Sequence, residues 1–213
     1  MSCKTLIAVP CFDTVCTDFA KSLIDLQKPP GTSYTTIKNT LIYDSRNTVA
    51  ASAIEAGFDR VMWFDSDMTF KPDTLLKLSA LMDEGRHMVS GLYFTRRFPN
   101  IRPVLFKKMT YEEHDGVADS EAEFWYDYPE GVVECAAVGF GCCMTSVELL
   151  KRVADAYGSP FTPFSCMGED MAFCLRVRGV GEKIYCDTRI KCGHIGSMEF
   201  NEEIYKSLRP NAP

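Results

Sequence analysis

The sequence predicts a wound α/β sheet flanked by helices, with a small antiparallel insertion. Two observations lead to it. Through the first half, short apolar and β-branched segments alternate with stretches of helical periodicity. From Arg102 to Phe140 the texture changes to alternating strand-like segments divided by Asp, Gly and Pro turns. At 213 residues, 46% hydrophobic and 24% charged, the chain is long enough for one sizeable core and short for two. A single domain over residues 1–213 is therefore expected.

Leu6 to Val9 reads as the first strand. Thr17 to Leu26 then places Phe19, Ala20, Leu23, Ile24 and Leu26 at helical spacing, and Lys28-Pro29-Pro30-Gly31 stops that helix. A second strand is expected through Tyr34 to Tyr43. Ser45 would cap the next helix, whose buried stripe is Val49, Ala50, Ala53, Ile54 and Ala56 and whose stop is Gly57. Val61 to Phe64 is a central strand ending in Asp65-Ser66-Asp67. Lys71-Pro72-Asp73 introduces a helix lined by Leu75, Leu76, Leu78, Leu81 and Met82, and His87 to Tyr93 returns to the sheet. The insertion follows, with Glu123 to Tyr128 as an aromatic-rich segment. Helices are expected again at Ser146 to Ala156 and Asp170 to Val177, and Lys183 to Cys186 closes the sheet.

Composition narrows the function classes. Lys and Arg number 23 against 29 Asp and Glu, a net charge of −6, which argues against a broad grip on a phosphate backbone. No run approaches the ~18 apolar residues of a membrane span, and the N-terminal apolar stretch is too short for a signal-peptide core. A cytoplasmic protein is expected. The ten cysteines form no Cys-x-x-Cys pair, which removes zinc-ribbon spacing and leaves them as reduced, small, semi-buried hydrophobes.

The chemistry concentrates at Asp65-Ser66-Asp67. Strand side chains alternate with a period of two, so both carboxylates would face one side and share a ligand. Carboxylate oxygens suit Mg²⁺ or Mn²⁺, ions that complete their shells with water and phosphates. The carboxyl ends of strands are also where open α/β sheets bind ligands. On the triplet alone, a strand-to-loop turn is the simpler reading.

The longer run from Val61 to Asp73 resembles the Asp-x-Asp segment of GT-A fold glycosyltransferases, in particular the small bacterial and phage members of the inverting family-two type. Four further segments, in order, carry the same resemblance: Ser45-Arg46-Asn47, Gly91-Leu92-Tyr93-Phe94-Thr95-Arg96, Gly139-Phe140-Gly141, and Gly168-Glu169-Asp170 followed by Gly193-His194-Ile195-Gly196. The likeness implies a GT-A-like, Rossmann-like sheet and a nucleotide-diphosphate sugar, a UDP- or GDP-sugar, as donor. It implies Asp67 as a direct ligand of Mn²⁺ or Mg²⁺, Asp65 facing the ribose or the ion through water, and His194 as a late metal ligand. Asp170 would be the catalytic base, kept ionised by a helix N-terminus, while Glu169 holds the acceptor or positions the loop. For Glu169 and Asp170 helix capping is the competing reading.

Donor contacts are expected from Pro10 at the end of the first strand, from Asp44, Arg46 and Asn47, from Asp65, and from Arg96. Arg46 would meet the diphosphate or brace Asp65. Arg96, Arg97, Lys107 and Lys108 mark a local basic groove for an acceptor, which the sequence leaves open among glycan, small molecule, protein and modified DNA base. Trp125, Tyr126 and Tyr128 offer stacking faces, although packing explains them as well. Two rivals stand beside the transferase. A sugar-nucleotide nucleotidyltransferase would carry a glycine-rich loop after the first strand, where this chain has Pro10 to Cys16 without glycine. A non-catalytic sugar-nucleotide or partner-binding module would have no need of Asp65, Asp67, Asp170 and His194 together.

Overall fold

The computed structural model describes residues 3–115, 117–196 and 199–209. The first half winds as β1 (Thr5–Pro10), α1 (Thr17–Asp25), β2 (Thr32–Ile37), α2 (Ile42–Glu55), β3 (Arg60–Phe64), β4 (Met68–Thr69), α3 (Thr74–Asp83) and β5 (Met88–Leu92). The insertion holds β6 (Leu105–His114), β7 (Val117–Phe124), β8 (Val132–Cys135) and β9 (Ala137–Val138). The chain then returns through β10 (Cys142–Ser146), α4 (Val147–Tyr157), α5 (Glu169–Gly179) and β11 (Ile184–Lys191), and ends in β12 (Gly193–Ile195), β13 (Glu199–Phe200) and α6 (Glu202–Ser207).

Seven strands form the main sheet in the order β2-β1-β3-β10-β5-β11-β8. β1 runs parallel to β2 and β3, and β5 parallel to β11, whereas β10 lies antiparallel between β3 and β5, and β8 antiparallel on β11. This is the expected mixed, Rossmann-like α/β sheet. Side-chain alternation builds a core on each face. Leu6, Ala8, Val61 and Trp63 join Val49, Leu149 and Phe173 of α2, α4 and α5 on one side, and Ile7, Val9, Met62 and Phe64 join Phe19 and Leu75 of α1 and α3 on the other. Buried Trp63 meets its polar obligation by donating from Nε1 to Thr145 Oγ1 at 2.9 Å. The antiparallel insertion forms a separate three-stranded sheet, β7-β6-β9, while its β8 segment joins the main sheet.

Several local expectations need correction. The second strand stops at Ile37, because Asn39 takes a left-handed φ of 57° and its N–H bonds back to Phe12 O. Helix α2 then starts at Ile42, with Ser45 N already donating to Leu41 O, so Ser45 is an interior helix residue and not the cap. Ile24, Ala56 and Leu76, assigned to buried stripes, are exposed. The chain does not close at Cys186: β11 runs on to Lys191, and β12 pairs with β4 and β13 in a small sheet of its own. All ten cysteines are free, six of them buried. Burial first of all pushes the Cys174 and Cys186 thiols up to about 12, which makes them packing groups and not nucleophiles. Among the described residues no helix is long and apolar enough to cross a membrane.

Candidate functional site

The parallel strands β1, β3 and β5 all deliver their carboxyl ends to one edge of the sheet, where Pro10, Asp65 and Tyr93 stand. The segment from Asn39 to Leu41, the first turns of α2 and α5, and β12 meet them there. Together they enclose a cleft of about 1080 Å³, the crevice in which open α/β sheets bind ligands. Pro10, Arg46, Asp65, Asp67, Arg96, Glu169, Asp170 and His194 all line it. Asp44 and Asn47 do not. Asp44 is exposed on the first turn of α2, and Asn47 uses its Oδ1 to accept from Phe161 N at 2.9 Å, tying α2 to the segment before α5.

At the floor lies Arg46, whose side chain is 3% exposed. Its Nη2 donates to Asp65 Oδ1 at 2.8 Å, its Nη1 to Glu169 Oε1 at 2.7 Å, and its guanidinium stacks 5.0 Å from the centre of the Phe140 ring. Burial works against the charge, but Asp65 and Glu169 outweigh it and hold the guanidinium more firmly protonated than usual. Of the two alternatives for Arg46, the structure shows the brace on Asp65. It also gives Glu169 a partner that fixes the start of α5.

The two aspartates of the triplet do not turn to one point. The chain leaves the strand after Phe64 and turns, with Met68 N donating to Asp65 O at 3.2 Å, so strand alternation no longer applies. Asp65 faces Arg46. Asp67 Oδ2 instead accepts from Arg96 Nη1 at 2.6 Å, and Asp67 Oδ1 lies 3.5 Å from His194 Nε2. Burial pulls the Asp67 carboxyl upward, yet His194 and then Arg96 outweigh it and keep the group below its ordinary range.

His194 Nδ1 is 2.8 Å from Phe94 O. A carbonyl only accepts, so Nδ1 carries a proton; with Nε2 protonated as well the ring pairs with Asp67, and on losing that proton Nε2 would turn a lone pair toward Asp67, the form in which histidine binds a cation. Asp67 Oδ1 is buried and has no hydrogen-bond partner. One carboxylate oxygen and one imidazole nitrogen with unspent lone pairs fit a divalent ion that takes its remaining ligands from water and phosphate. Among the described residues, no group of three or more His, Cys, Asp or Glu side chains is arranged to hold a metal. Of Asp65, Asp67 and His194, the last two stand together, while Asp65 is turned to Arg46.

Among the described residues four buried side-chain polar atoms lack a partner. Three of them, Ser45 Oγ, Arg46 Nε and Asp67 Oδ1, belong to residues lining this cleft. Such orphans are rare in folded proteins and mark places where a ligand or water completes the bonding. No family model matches the chain, and no curated protein does. Among solved structures, the crystal structure of A197 from STIV matches with a TM-score of 0.65 and 17% sequence identity, covering 91% of this chain and 86% of that one. The likeness is one of fold.

Asp170 corrects another expectation. It sits in the first turn of α5, with its Oδ1 accepting from Met171 N at 2.8 Å, yet its pKa is raised to about 6 and not lowered. Burial is the largest cause and the Glu169 charge the next, against a lowering by Arg46. A helix terminus contributes about 0.3–1 kcal/mol, less than the ~1.4 kcal/mol of a single pKa unit, so burial beside a second carboxylate wins.

Phe12, in the segment leaving β1 from which donor contacts are expected, is 73% exposed and forms an apolar lip with Leu41 and Ile42 along one side of the cleft. Ser45 escaped the sequence, in which it reads as a helix cap. The basic groove divides, with Arg96 and Arg97 in the cleft and Lys108 on the hairpin paired with Glu121. Trp125 and Tyr128 pack against the core, and Tyr128 donates to Glu202 of α6, so packing is their observed role.

Tyr93 explains the glycine-rich turn. Gly141 N donates to Tyr93 Oη at 3.2 Å, and a Cβ on Gly139 would stand 1.9 Å from the same oxygen. Gly139→Ala is expected to cost about 1–3 kcal/mol through overpacking. Measured by urea unfolding, the loss should shrink in a Tyr93→Phe background; an equal loss there would remove the hydroxyl as its cause.

Proposed function

We propose that the chain is a metal-dependent glycosyltransferase that moves a sugar from a nucleoside-diphosphate sugar to an acceptor hydroxyl, with inversion and with Asp170 as general base. The observation that carries this reading is convergence. Asp67, Asp170 and His194, scattered over more than half the sequence, line one cleft at the carboxyl edge of the sheet, beside three orphaned polar atoms. The shared fold and the five ordered motif segments support it.

Transfer forms a bond from the acceptor oxygen to the anomeric carbon, breaks the bond to the diphosphate, and releases the acceptor's proton. The transition state resembles an oxocarbenium ion. Asp170 is suited to take that proton: at about 6, its pKa makes it a stronger base than an ordinary carboxylate while leaving it mostly ionised at neutral pH. Asp67 and His194 would hold Mn²⁺ or Mg²⁺, which neutralises charge on the departing diphosphate as a Lewis acid. Asp65, fixed by Arg46, would face the ribose or the ion through water. The apolar lip at Phe12 gives the donor a dry wall.

Thermal shift with a panel of UDP- and GDP-sugars plus Mn²⁺, followed by assay of donor hydrolysis, tests the reading. A donor should raise the melting temperature, and Asp67→Ala should abolish that rise. Because the base must be unprotonated, kcat/KM should climb through about pH 6 and level above it. Absence of binding by every donor, or an Asp67→Ala protein that binds donor and metal like the wild type, refutes it.

A further inference from the structure

The two aspartates of the triplet are each held by an arginine, and the two arginines differ in kind. Arg46 is sealed, with both Nη atoms committed to carboxylates. Arg96 is 45% exposed at its side chain and uses one nitrogen for two acceptors, Asp67 Oδ2 at 2.6 Å and Ile195 O at 3.1 Å. Among the described residues its Nη2 and Nε have no partner. Exposed ion pairs are worth about 0–1 kcal/mol, so this contact is cheap to exchange, whereas breaking the Arg46 pairs strands buried charge.

We propose that Arg96 is a transferable counter-ion: it neutralises Asp67 in the free protein, gives Asp67 up to a divalent cation, and turns its guanidinium to the diphosphate of the donor. The inference rests on the transferase reading above. Asp67 Oδ1 has no hydrogen-bond partner and lies 3.5 Å from His194 Nε2, while Arg96 holds the other oxygen of the same carboxylate, so a cation taken between Oδ1 and the imidazole would be separated from the guanidinium by one carboxylate group. The two positive charges repel across it. Arg96 is therefore an obstacle to the cation alone and an asset once an anion is present. Its planar fork matches a diphosphate, and its stem, packed beside Gly196, leaves the head in the cleft. In this scheme Arg96 binds the donor and takes no proton.

The two roles predict opposite signs for one substitution. Mn²⁺ binding to the protein alone, read from the loss of the free Mn²⁺ paramagnetic resonance signal, should tighten about fivefold in Arg96→Gln. UDP or GDP binding at saturating Mn²⁺, read by calorimetry, should weaken about tenfold in the same variant. Arg96→Lys, which keeps the charge, should resemble the wild type with Mn²⁺ alone. A merely structural arginine would weaken both measurements, and that outcome overturns the inference while leaving the transferase reading intact. If the wild type binds neither Mn²⁺ nor nucleotide, both fall together.

Discussion

Asp170→Asn should melt higher than the wild type while transferring no sugar. The carboxyl is pushed from an ordinary 3.8 to about 6, with burial the largest cause. A folded-state pKa above the unfolded one means that the native protein binds more protons between those values. Stability therefore falls as pH rises from about 4 through 6, and the deficit is fully present at neutral pH. Asn has the same shape and no charge, so it removes the deficit, recovering about 1–3 kcal/mol at pH 7.5 and several degrees in Tm for a chain of this size. Near pH 4 the two proteins should melt alike. Transfer should drop by about 10²–10⁴-fold with donor affinity retained. A lower Tm at pH 7.5 would show that the ionised carboxylate stabilises the fold, and lost donor affinity would move Asp170 to the nucleotide side.

The contrast between Asp170 and Ser45 shows what a sequence of this kind reveals. The sheet was legible because its strands announce themselves: Leu6 to Val9 and Val61 to Phe64 are apolar on both faces, as strands between two helical layers must be. The edge carrying the site was legible too, since Asp65 and Asp67 follow such a strand directly. Hidden were the features set by tertiary contacts. Nothing local says that Asn39 turns the chain and moves the helix start to Ile42, which makes Ser45 a buried residue facing the cleft. Nothing local says that Arg46 reaches Glu169, 123 positions away. The Asp170 pKa was misjudged for the same reason: a helix terminus is visible in sequence, whereas burial and the Glu169 charge belong to the folded state. β12 and β13 are three and two residues long, too short for any periodicity.

Arg46→Met should produce the largest loss of stability of any single substitution at the site, and the loss should be relieved by acid. With the guanidinium gone, the carboxylates of Asp65 and Glu169 stand with Asp170 around the cleft floor without the cation that bonds the first two. Removing one partner of a buried pair costs about 3–5 kcal/mol, far more than the pair itself contributes, which for this chain length is on the order of 10 °C. The variant also lacks the charge that lowers the Asp170 pKa, so Asp170 favours its protonated form more strongly and the variant should regain stability as pH falls, unlike a simple packing defect. Neutralising the stranded groups in Arg46→Met/Asp65→Asn/Glu169→Gln should restore much of the loss, with non-additivity reporting the coupling. A kinetic signature follows from the same charge. Arg46 lowers the Asp170 pKa, so residual transfer in Arg46→Met should rise with pH through a limb above 6. A limb that stays near 6 with unchanged Tm would reduce Arg46 to a space-filling side chain on Phe140. A shifted limb would instead make it the link between the Asp65 end of β3 and the proton-accepting end of α5, so that one buried charge sets both the geometry and the basicity of the site.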